Sequence, residues 1–242
     1  MRTTTVDDPS AVHACAVPGS DEQLWEMTTR FLGIGLAAGE QVVYLSDGTA
    51  DAVLERLVDD RIPVDRPLAD GQLTIVDPET TRASMRVPVR DAAGALAAMV
   101  DGAVDAGYTG LRVTGQLSSG AHRSAGPSLA DYDGVIDTVL AGRPGRVLCF
   151  YDRHRFTDGV IERMRALHRV EVEATALYDD GLLRVTRLAP FRMRLAGEVD
   201  HSNRPVIARM VATTLDDALR TDSAPAALEL DLSSLRFLDV AG

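Results

Sequence analysis

The densest group of chemically versatile side chains follows an apolar run in the second half of the chain. The segment CFYDRHRF at 149–156 places Asp152, Arg153, His154 and Arg155 in succession. Arginine and histidine side chains bind anions or carbonyl groups, so this segment is a candidate ligand site. An aspartate here is equally typical of a turn cap, in which case the arginines are solvated. The sequence favours the two interpretations equally.

Candidate ligand-binding residues lie on or just after three of the apolar runs. His13, on the first predicted strand, is also typical of a hydrogen-bonded core histidine. The full set of candidates is His13, Gln116, Tyr151, Asp152, Arg153 and Arg155.

Catalytic constellations are weak in this sequence. All 25 basic residues are arginine, which excludes Schiff-base chemistry, lysine general bases and a phosphate-loop lysine. The nucleophile elbow G-x-S-x-G is missing, and Asp131 and Asp133 are spaced i, i+2, so they do not face one another on a helix. A hydrolase using Ser118 or Ser119 with His122 is a minor alternative. We therefore expect a protein that is not an enzyme.

The two cysteines, Cys15 and Cys149, are far apart in the sequence. In a cytosolic protein they are more typical of reduced thiols than of a disulfide. Zinc sites usually take four ligands at closer spacings, so we expect neither a metal nor another cofactor.

The net charge of −11 argues against nucleic acid or an anionic membrane as the main partner, because both require a basic face. No apolar run reaches the roughly 20 residues of a membrane-spanning helix. The first residues have no apolar core typical of a secretory signal. These features predict a cytoplasmic protein.

Strand and helix patterns alternate along most of the chain. Ser20 and Gln23 form a predicted capping box for the first long helix, and Gly39 ends that helix. Alternation of this kind predicts a doubly wound, mostly parallel α/β sheet with ligand sites at the carboxyl ends of its strands. The predicted strands are 11–17, 41–46, 72–76, 110–115, 146–152 and 169–178, and the helices after the first are 49–59, 88–107, 129–140 and 156–168.

The turn VPGSDEQL occupies the place of a phosphate loop, but it has no GK[ST]. Backbone amides at a helix start hold anions. Here Asp21 and Glu22 already stabilise that positive end. An acidic first helical turn is therefore favoured over nucleotide binding.

After residue 179 the alternation breaks, and we place a domain boundary near residue 188. A strand, FRMRLAGEVD, is followed by a helix at about 203–221 with Pro205 in its first turn. The segment LELDLSSLRFLDVAG then predicts a buried strand and a turn.

Three segments in order, FLGIGLAAGEQVVYLSD, GLRVTGQLSSGA and VLCFYDRHRF, resemble the MEDS sensory domain over residues 10–187. The resemblance implies a degenerate RecA/KaiC-like fold without a phosphate loop, and a sensor of small, hydrocarbon-like molecules. The arginines of CFYDRHRF keep a small anionic ligand as the other possibility. The sequence departs from the family pattern at Gln116, where the loop lacks an aromatic residue. In the later helix, Asp133 stands where the family has a glutamate.

Residues 189–242 resemble the first part of a STAS domain of anti-sigma-factor antagonists, a partial α/β unit. The resemblance implies an anti-sigma factor or related regulator as partner. It also marks Ser234, Asp239, Val240 and Ala241 as candidate partner-binding or switch residues. The family's phosphorylated serine follows the aspartate, and Val240 stands there, so this position cannot be phosphorylated. Together the two resemblances predict a cytosolic sensory protein of the partner-switching type, with a RecA-like nucleotide-binding protein or ATPase as the alternative.

Overall fold

A computed structural model describes residues 1–116, 128–219 and 227–239. The chain forms two compact units, Met1–Ala174 and Thr175–Gly242. The boundary lies earlier than residue 188, because the strand Leu183–Ala189 pairs with Arg192–Val199 in the second sheet.

The first unit is built on a seven-stranded sheet whose described pairings are all parallel. The strand order is β1-β7-β2-β6-β5-β3-β4, so the chain crosses over the sheet as in doubly wound folds. This confirms the predicted fold class. The strands are β1 Arg2–Thr4, β2 His13–Ala16, β3 Gln41–Leu45, β4 Leu73–Val76, β5 Leu111–Gly115, β6 Gly145–Phe150 and β7 Val170–Val172.

Helices cover the sheet, and the long predicted ones agree with the structure to within a few residues. The short α3 and α4 were not predicted. Asp77 starts α4 by accepting hydrogen bonds from the amides of Glu79 and Thr80, with Pro78 in the first turn. The helices are α1 Asp21–Ala37, α2 Ala50–Asp59, α3 Asp65–Ala69, α4 Pro78–Ser84, α5 Val89–Asp105, α6 Leu129–Leu140 and α7 Asp158–Leu167.

Two sequence expectations are wrong in detail. The strand that contains His13 is the second of the chain, because residues 2–4 form an edge strand too short to show a pattern. The predicted strand at 169–178 is two separate strands, Val170–Val172 in the first unit and Tyr178–Asp179 in the second. Its alternating pattern runs across the junction between the units, which the sequence pattern does not reveal.

The second unit has a sheet in the order β11-β10-β9-β8, with β12 also paired to β10. Its elements are β8 Tyr178–Asp179, β9 Leu183–Ala189, β10 Arg192–Val199, α8 Arg204–Leu219, β11 Glu229–Asp231 and β12 Leu235–Leu238. The helix matches the prediction, but the predicted single buried strand at the end is split in two and is not buried, since Leu230 and Phe237 are exposed. Asp231 Oδ1 accepts hydrogen bonds from both the amide and the hydroxyl of Ser233, and this turn interrupts the strand.

A buried ion pair holds the second sheet together. Arg194 on β10 is fully buried, and its Nη2 lies 2.7 Å from Oδ2 of Asp231 on β11. Arg192 Nη2 lies 3.1 Å from the same oxygen. The aspartate of the LELDLSS segment therefore neutralises an arginine inside this unit.

Gly197 on β10 has a structural reason to be glycine. Its φ is +108°, and a Cβ there would lie 2.0 Å from the carbonyl oxygen of Leu182. The register of β10 against β12 shifts between Gly197 and Glu198, so the glycine marks a bulge.

Candidate functional site

The polar residues at the strand ends form a small hydrogen-bonded group in the structure. Gln116, which follows β5, is 2% exposed, and its Oε1 accepts a hydrogen bond from Arg155 Nη1 at 2.9 Å. Asp152 is also buried; its Oδ1 accepts from the His154 amide at 2.7 Å and its Oδ2 pairs with Arg155 Nε at 3.5 Å. Asp152 therefore caps the turn after β6, as one of the two sequence interpretations predicted, but Arg155 contacts Gln116 and Asp152 and is not simply solvated as that interpretation required.

Arg153 does not join this group. Its Nη1 lies 3.9 Å from Asp158 Oδ1, and both side chains are largely exposed. The structure thus brings Gln116, Asp152 and Arg155 together and leaves Arg153 on the surface.

The turn in the place of a phosphate loop is occupied by its own caps. Ser20 accepts a hydrogen bond from the Gln23 amide, and Gln23 Oε1 accepts one from the Gly19 amide at 2.8 Å. Asp21 and Glu22 occupy the first turn of α1. Two donors that an anion would need are thus already used, next to two negative charges.

A cavity of about 370 Å³ lies against one face of the sheet of the first unit. The sheet contributes residues of β3, β5 and β6, and the rest of the wall comes from α4, α5, α6 and the segments that follow α4 and β6. Most lining side chains are apolar, among them Leu96, Met99, Val113, Ile136 and Phe156. The cavity therefore suits a small, mainly apolar molecule.

Polar side chains line the cavity wall formed by α6 and the end of β6. Asp133, Cys149 and Tyr151 all line it. Asp133 is 5% and Tyr151 2% exposed, and the Tyr151 hydroxyl donates a hydrogen bond to Asp133 Oδ2. Asp133 lies on the buried face of α6, whereas Asp131 caps that helix in the solvent with Ser128, so the two carboxylates do not face one another, as predicted.

These polar groups continue into a buried cluster, which we define as His13, Asp133, Cys149, Tyr151 and His168. Cys149 Sγ lies 3.7 Å from His13 Nε2 and 3.6 Å from Asp133 Oδ1. His168 Nε2 lies 3.6 Å from Asp133 Oδ2, and the two imidazole rings are 4.3 Å apart between centroids. One ligand atom from each of the two histidines, Asp133 and Cys149 falls within 4.8 Å of all the others.

The Nδ1 atoms of both histidines already have hydrogen-bond partners. His13 Nδ1 lies 3.1 Å from Asp137 Oδ1, and His168 Nδ1 lies 2.8 Å from the carbonyl oxygen of Met164. Because a carboxylate and a carbonyl only accept, both Nδ1 atoms carry hydrogen. In the neutral rings the lone pair is then on Nε2, the nitrogen that faces the cluster.

Burial sets the protonation of the cluster. It raises the pKa of Cys149 and of Tyr151, and it raises the pKa of the neighbouring Cys15 to about 12. Burial, assisted by the nearby His168, lowers the pKa of His13. Without a bound cation, the thiols and the phenol are therefore protonated and His13 is neutral.

His13 and Tyr151 were among the ligand-binding candidates predicted from the sequence, whereas Asp133, Cys149 and His168 were not. The sequence carried a signal for Asp133, since it lies on the same helix face as the apolar Leu129, Ile136 and Leu140. No local signal marks His168, which directly follows α7.

The candidate switch residues lie in the second unit. Asp239 Oδ2 is 3.5 Å from Arg204 Nη2 at the start of α8, and the Asp239 amide donates to the Val199 carbonyl. Ser234 is half-buried, and its carbonyl accepts from the Gly197 amide. Val240 and Ala241 lie outside the described residues, as do Ser118, Ser119 and His122 of the minor hydrolase alternative.

Among residues 1–116, 128–219 and 227–239, the chain has no helix that is both long and apolar enough to cross a bilayer.

Comparison with solved structures identifies the class of fold first. The flagellar accessory protein FlaH from Methanocaldococcus jannaschii superposes with a TM-score of 0.52 at 9% identity, covering 76% of this chain and 77% of that one. The fold is thus a doubly wound α/β sheet similar to that of FlaH, and at this identity the similarity concerns the fold alone. No curated protein matches the chain.

The family follows from the sequence match. Residues 12–169 match the family model described as the MEthanogen/methylotroph, DcmR Sensory domain, or MEDS. The matched span is more than half of the chain. The chain belongs to the MEDS family, as the sequence resemblance predicted. The family is described as a sensory domain, which indicates a regulatory role.

Proposed function

We propose that the first unit is a sensory module that binds a small, predominantly apolar molecule in its cavity without converting it chemically. The cavity of about 370 Å³, with apolar side chains over most of its wall, is the observation that carries this proposal. Its volume is within the range of about 300–1,000 Å³ that is usual for small-molecule sites.

The energetics favour an apolar ligand over a charged one. Each 100 Å² of apolar ligand surface removed from water contributes about 2.5 kcal/mol before the costs of association. Thr114, Asp133 and Tyr151 are among the polar groups that line the cavity and could orient a ligand. The Asp133 carboxylate disfavours an anionic ligand, and no basic side chain is among the described residues that line the cavity.

Nucleotide binding is the weaker alternative. In the turn at Gly19–Gln23, the amides of Gly19 and Gln23 already donate to the turn's own side chains, and two acidic residues follow in the first turn of α1. We therefore propose that this family member senses a ligand without hydrolysing a nucleotide.

For the second unit we propose the output role, contact with an anti-sigma factor or a related regulatory protein in the cytoplasm. Support comes from the STAS-like segments FRMRLAGEVD and LELDLSSLRFLDVAG, because a glycine of the first and an aspartate of the second have structural roles in the second sheet. Gly197 permits the bulge in β10, and Asp231 neutralises the buried Arg194.

The ligand proposal is tested by filling the cavity. Ala92 on α5 lines the cavity, whereas Ala98 on the same helix is exposed and does not line it. Ala92→Phe should weaken binding of toluene and 1-hexanol at least about tenfold, the loss of about 1.4 kcal/mol. Ala98→Phe makes the same chemical change on the same helix and should bind like the wild type.

Ligand-observed NMR and isothermal titration measure these affinities, with ATP and Mg²⁺ as a third probe. Binding of ATP with no binding of either apolar probe would favour the nucleotide alternative. Equal affinities in both variants and the wild type would place the apolar probes outside the cavity and refute the proposal.

The partner proposal has its own test at the position that follows Asp239. Val240→Asp adds a charge as phosphorylation would, and it should abolish capture of an anti-sigma-factor-type protein by the full chain. Val240→Thr is the uncharged control of similar shape and should retain capture. Failure of the wild type to bind any such regulator, or equal capture by both variants, contradicts the output role.

A further inference from the structure

The buried cluster of the first unit has the composition and geometry of a metal site. We propose that His13, Asp133, Cys149 and His168 bind one divalent transition-metal ion of the zinc class, through the two Nε2 atoms, one carboxylate oxygen and the thiolate.

The spacing of the donors fits tetrahedral coordination. Metal–ligand distances of about 2.0–2.3 Å for nitrogen, oxygen and sulfur place tetrahedral ligand atoms about 3.3–3.6 Å apart. Cys149 Sγ lies 3.7 Å from His13 Nε2 and 3.6 Å from Asp133 Oδ1. The widest separation among the four ligand atoms is under 4.8 Å, so binding requires side-chain adjustments of about an ångström or less.

The hydrogen bonds made by the Nδ1 atoms of the two histidines are an independent indication of a metal site. Metal-binding histidines usually donate their second N–H to a carboxylate or a backbone carbonyl, which fixes the tautomer and aims the lone pair at the metal. His13 donates to Asp137 in this way, and His168 donates to the Met164 carbonyl. The Tyr151 hydroxyl in turn holds Oδ2 of the Asp133 carboxylate.

His168 Nε2 supplies a further indication. The His168 side chain is fully buried, yet its Nε2 has no hydrogen-bond partner among the described residues. The atom faces Asp133 Oδ2 at 3.6 Å, which is too far for a hydrogen bond. A buried lone pair next to a carboxylate is unfavourable unless a positive charge lies between them. A metal ion supplies that charge.

Charge balance favours a divalent ion. Two neutral imidazoles, one carboxylate and one thiolate carry two negative charges, so a divalent ion gives a neutral buried centre. Binding breaks the S–H bond of Cys149, the sulfur keeps the electron pair and bonds to the metal, and the proton leaves to the solvent. Mixed sulfur and imidazole donors select zinc, cobalt or iron over calcium or magnesium.

The four ligands come from separate parts of the fold. His13 lies on β2, Cys149 on β6, Asp133 on α6, and His168 directly after α7. A metal ion would therefore tie two central strands to two helices. Asp133 and Cys149 also line the apolar cavity, so the proposed centre lies in its polar wall. The metal proposal does not depend on ligand binding in that cavity.

The test uses the full chain, stripped with a chelator and titrated with Co²⁺ and then Zn²⁺. We expect one equivalent of Co²⁺ to give the intense visible bands of a tetrahedral site and a thiolate charge-transfer band. Zn²⁺ should remove both, and each metal bound near neutral pH should release about one proton.

Cys149→Ser and Cys15→Ser form a matched pair. The two cysteines are register partners on β2 and β6, but Cys15 Sγ contacts the Val170 carbonyl and is not one of the four ligands. Cys149→Ser should lose the charge-transfer band and weaken metal binding about 100-fold or more, whereas Cys15→Ser should bind like the wild type.

Asp137→Asn provides a test that does not disturb the core, because the Asp137 side chain is 46% exposed. It should weaken binding about 10- to 100-fold while keeping the spectrum of the wild type. A wild-type spectrum without a thiolate band, equal behaviour of the two serine variants, or no stoichiometric binding would overturn the proposal. If Cys149→Ser does not fold, the cobalt spectrum of the wild type and the metal affinity of Asp137→Asn still test the proposal.

Discussion

Removing the charge of Asp231 should destabilise the second unit strongly. Asp231→Asn keeps the shape of the side chain and can still accept from Ser233, but it leaves the buried Arg194 without a compensating charge. The lost interactions are charge-assisted hydrogen bonds of 2.7 Å to Arg194 and 3.1 Å to Arg192. At about 1.5–3 kcal/mol each they total about 3–6 kcal/mol, which agrees with about 3–5 kcal/mol for breaking a buried ion pair.

Solvent screening reduces this figure little, because the Arg194 side chain is 0% and the Asp231 side chain 9% exposed. We therefore expect a loss of about 3 kcal/mol or more in the free energy of unfolding of this unit. The single tryptophan, Trp25, belongs to the first unit and does not report on the second. Hydrogen exchange of the β10 amides is the suitable assay, and their protection should fall about 100-fold.

Glu229→Gln is the control for the same strand. Glu229 Oε1 pairs with Arg192 Nε at 3.2 Å, but its side chain is 41% exposed, so the loss should be within about 1 kcal/mol. Arg194→Met combined with Asp231→Asn should be less destabilised than the sum of the single changes, because the buried charge is then removed with its partner. A tenfold or smaller loss of protection in Asp231→Asn, or no difference from Glu229→Gln, would refute the reasoning.

Two further predictions concern the same unit. Burial raises the pKa of Asp231, but hydrogen bonds from Ser233 and Arg194 outweigh this effect and lower the pKa to about 2. The stabilising contribution of the Asp231 carboxylate should therefore be complete above about pH 4 and be lost as the pH falls towards 2. Hydrogen-exchange protection of the β10 amides, measured at decreasing pH, should show this loss in the wild type and not in Asp231→Asn. In Gly197→Ala the new methyl group meets both a positive φ and the Leu182 carbonyl, whereas in Gly181→Ala it meets a φ of +85° with nothing within 4 Å. We expect the free energy of unfolding to fall by about 1 kcal/mol in Gly181→Ala and by about 3 kcal/mol or more in Gly197→Ala. Similar losses of hydrogen-exchange protection in the two variants would show that the close contact is unimportant.

The sequence predicts the first unit well where its patterns are long. Leu24, Met27 and Phe31 of α1 recur at helical spacing, and all three are buried. The predicted C-terminal glycine, Gly39, has a φ of +73°. Such signals come from a single element and therefore appear in a single stretch of sequence. The edge strand Arg2–Thr4 is too short to produce one.

The candidate site is harder to predict because it is assembled from distant residues. His13 and Cys149 are close only because β2 and β6 are neighbours in the sheet. The order of strands in a sheet cannot be predicted from the periodicity of each strand's sequence. The separation of the two cysteines in sequence argued against metal binding, yet four potential ligands converge in space. The capping role of Asp152 could be predicted from the sequence, because it depends only on residues two or three positions away.

The strand order also fixes the sequence in which the first sheet can be completed during synthesis. β3, β4 and β5 are neighbours and are all made before residue 116, so this half can pair early. β2 is made before them but lies between β6 and β7, whose residues emerge only after residue 144. Until then β2 has two unpaired edges, which are prone to wrong pairing with other chains. The half of the sheet that carries the buried cluster is thus the last to close, and β2 is most exposed to aggregation before β6 emerges.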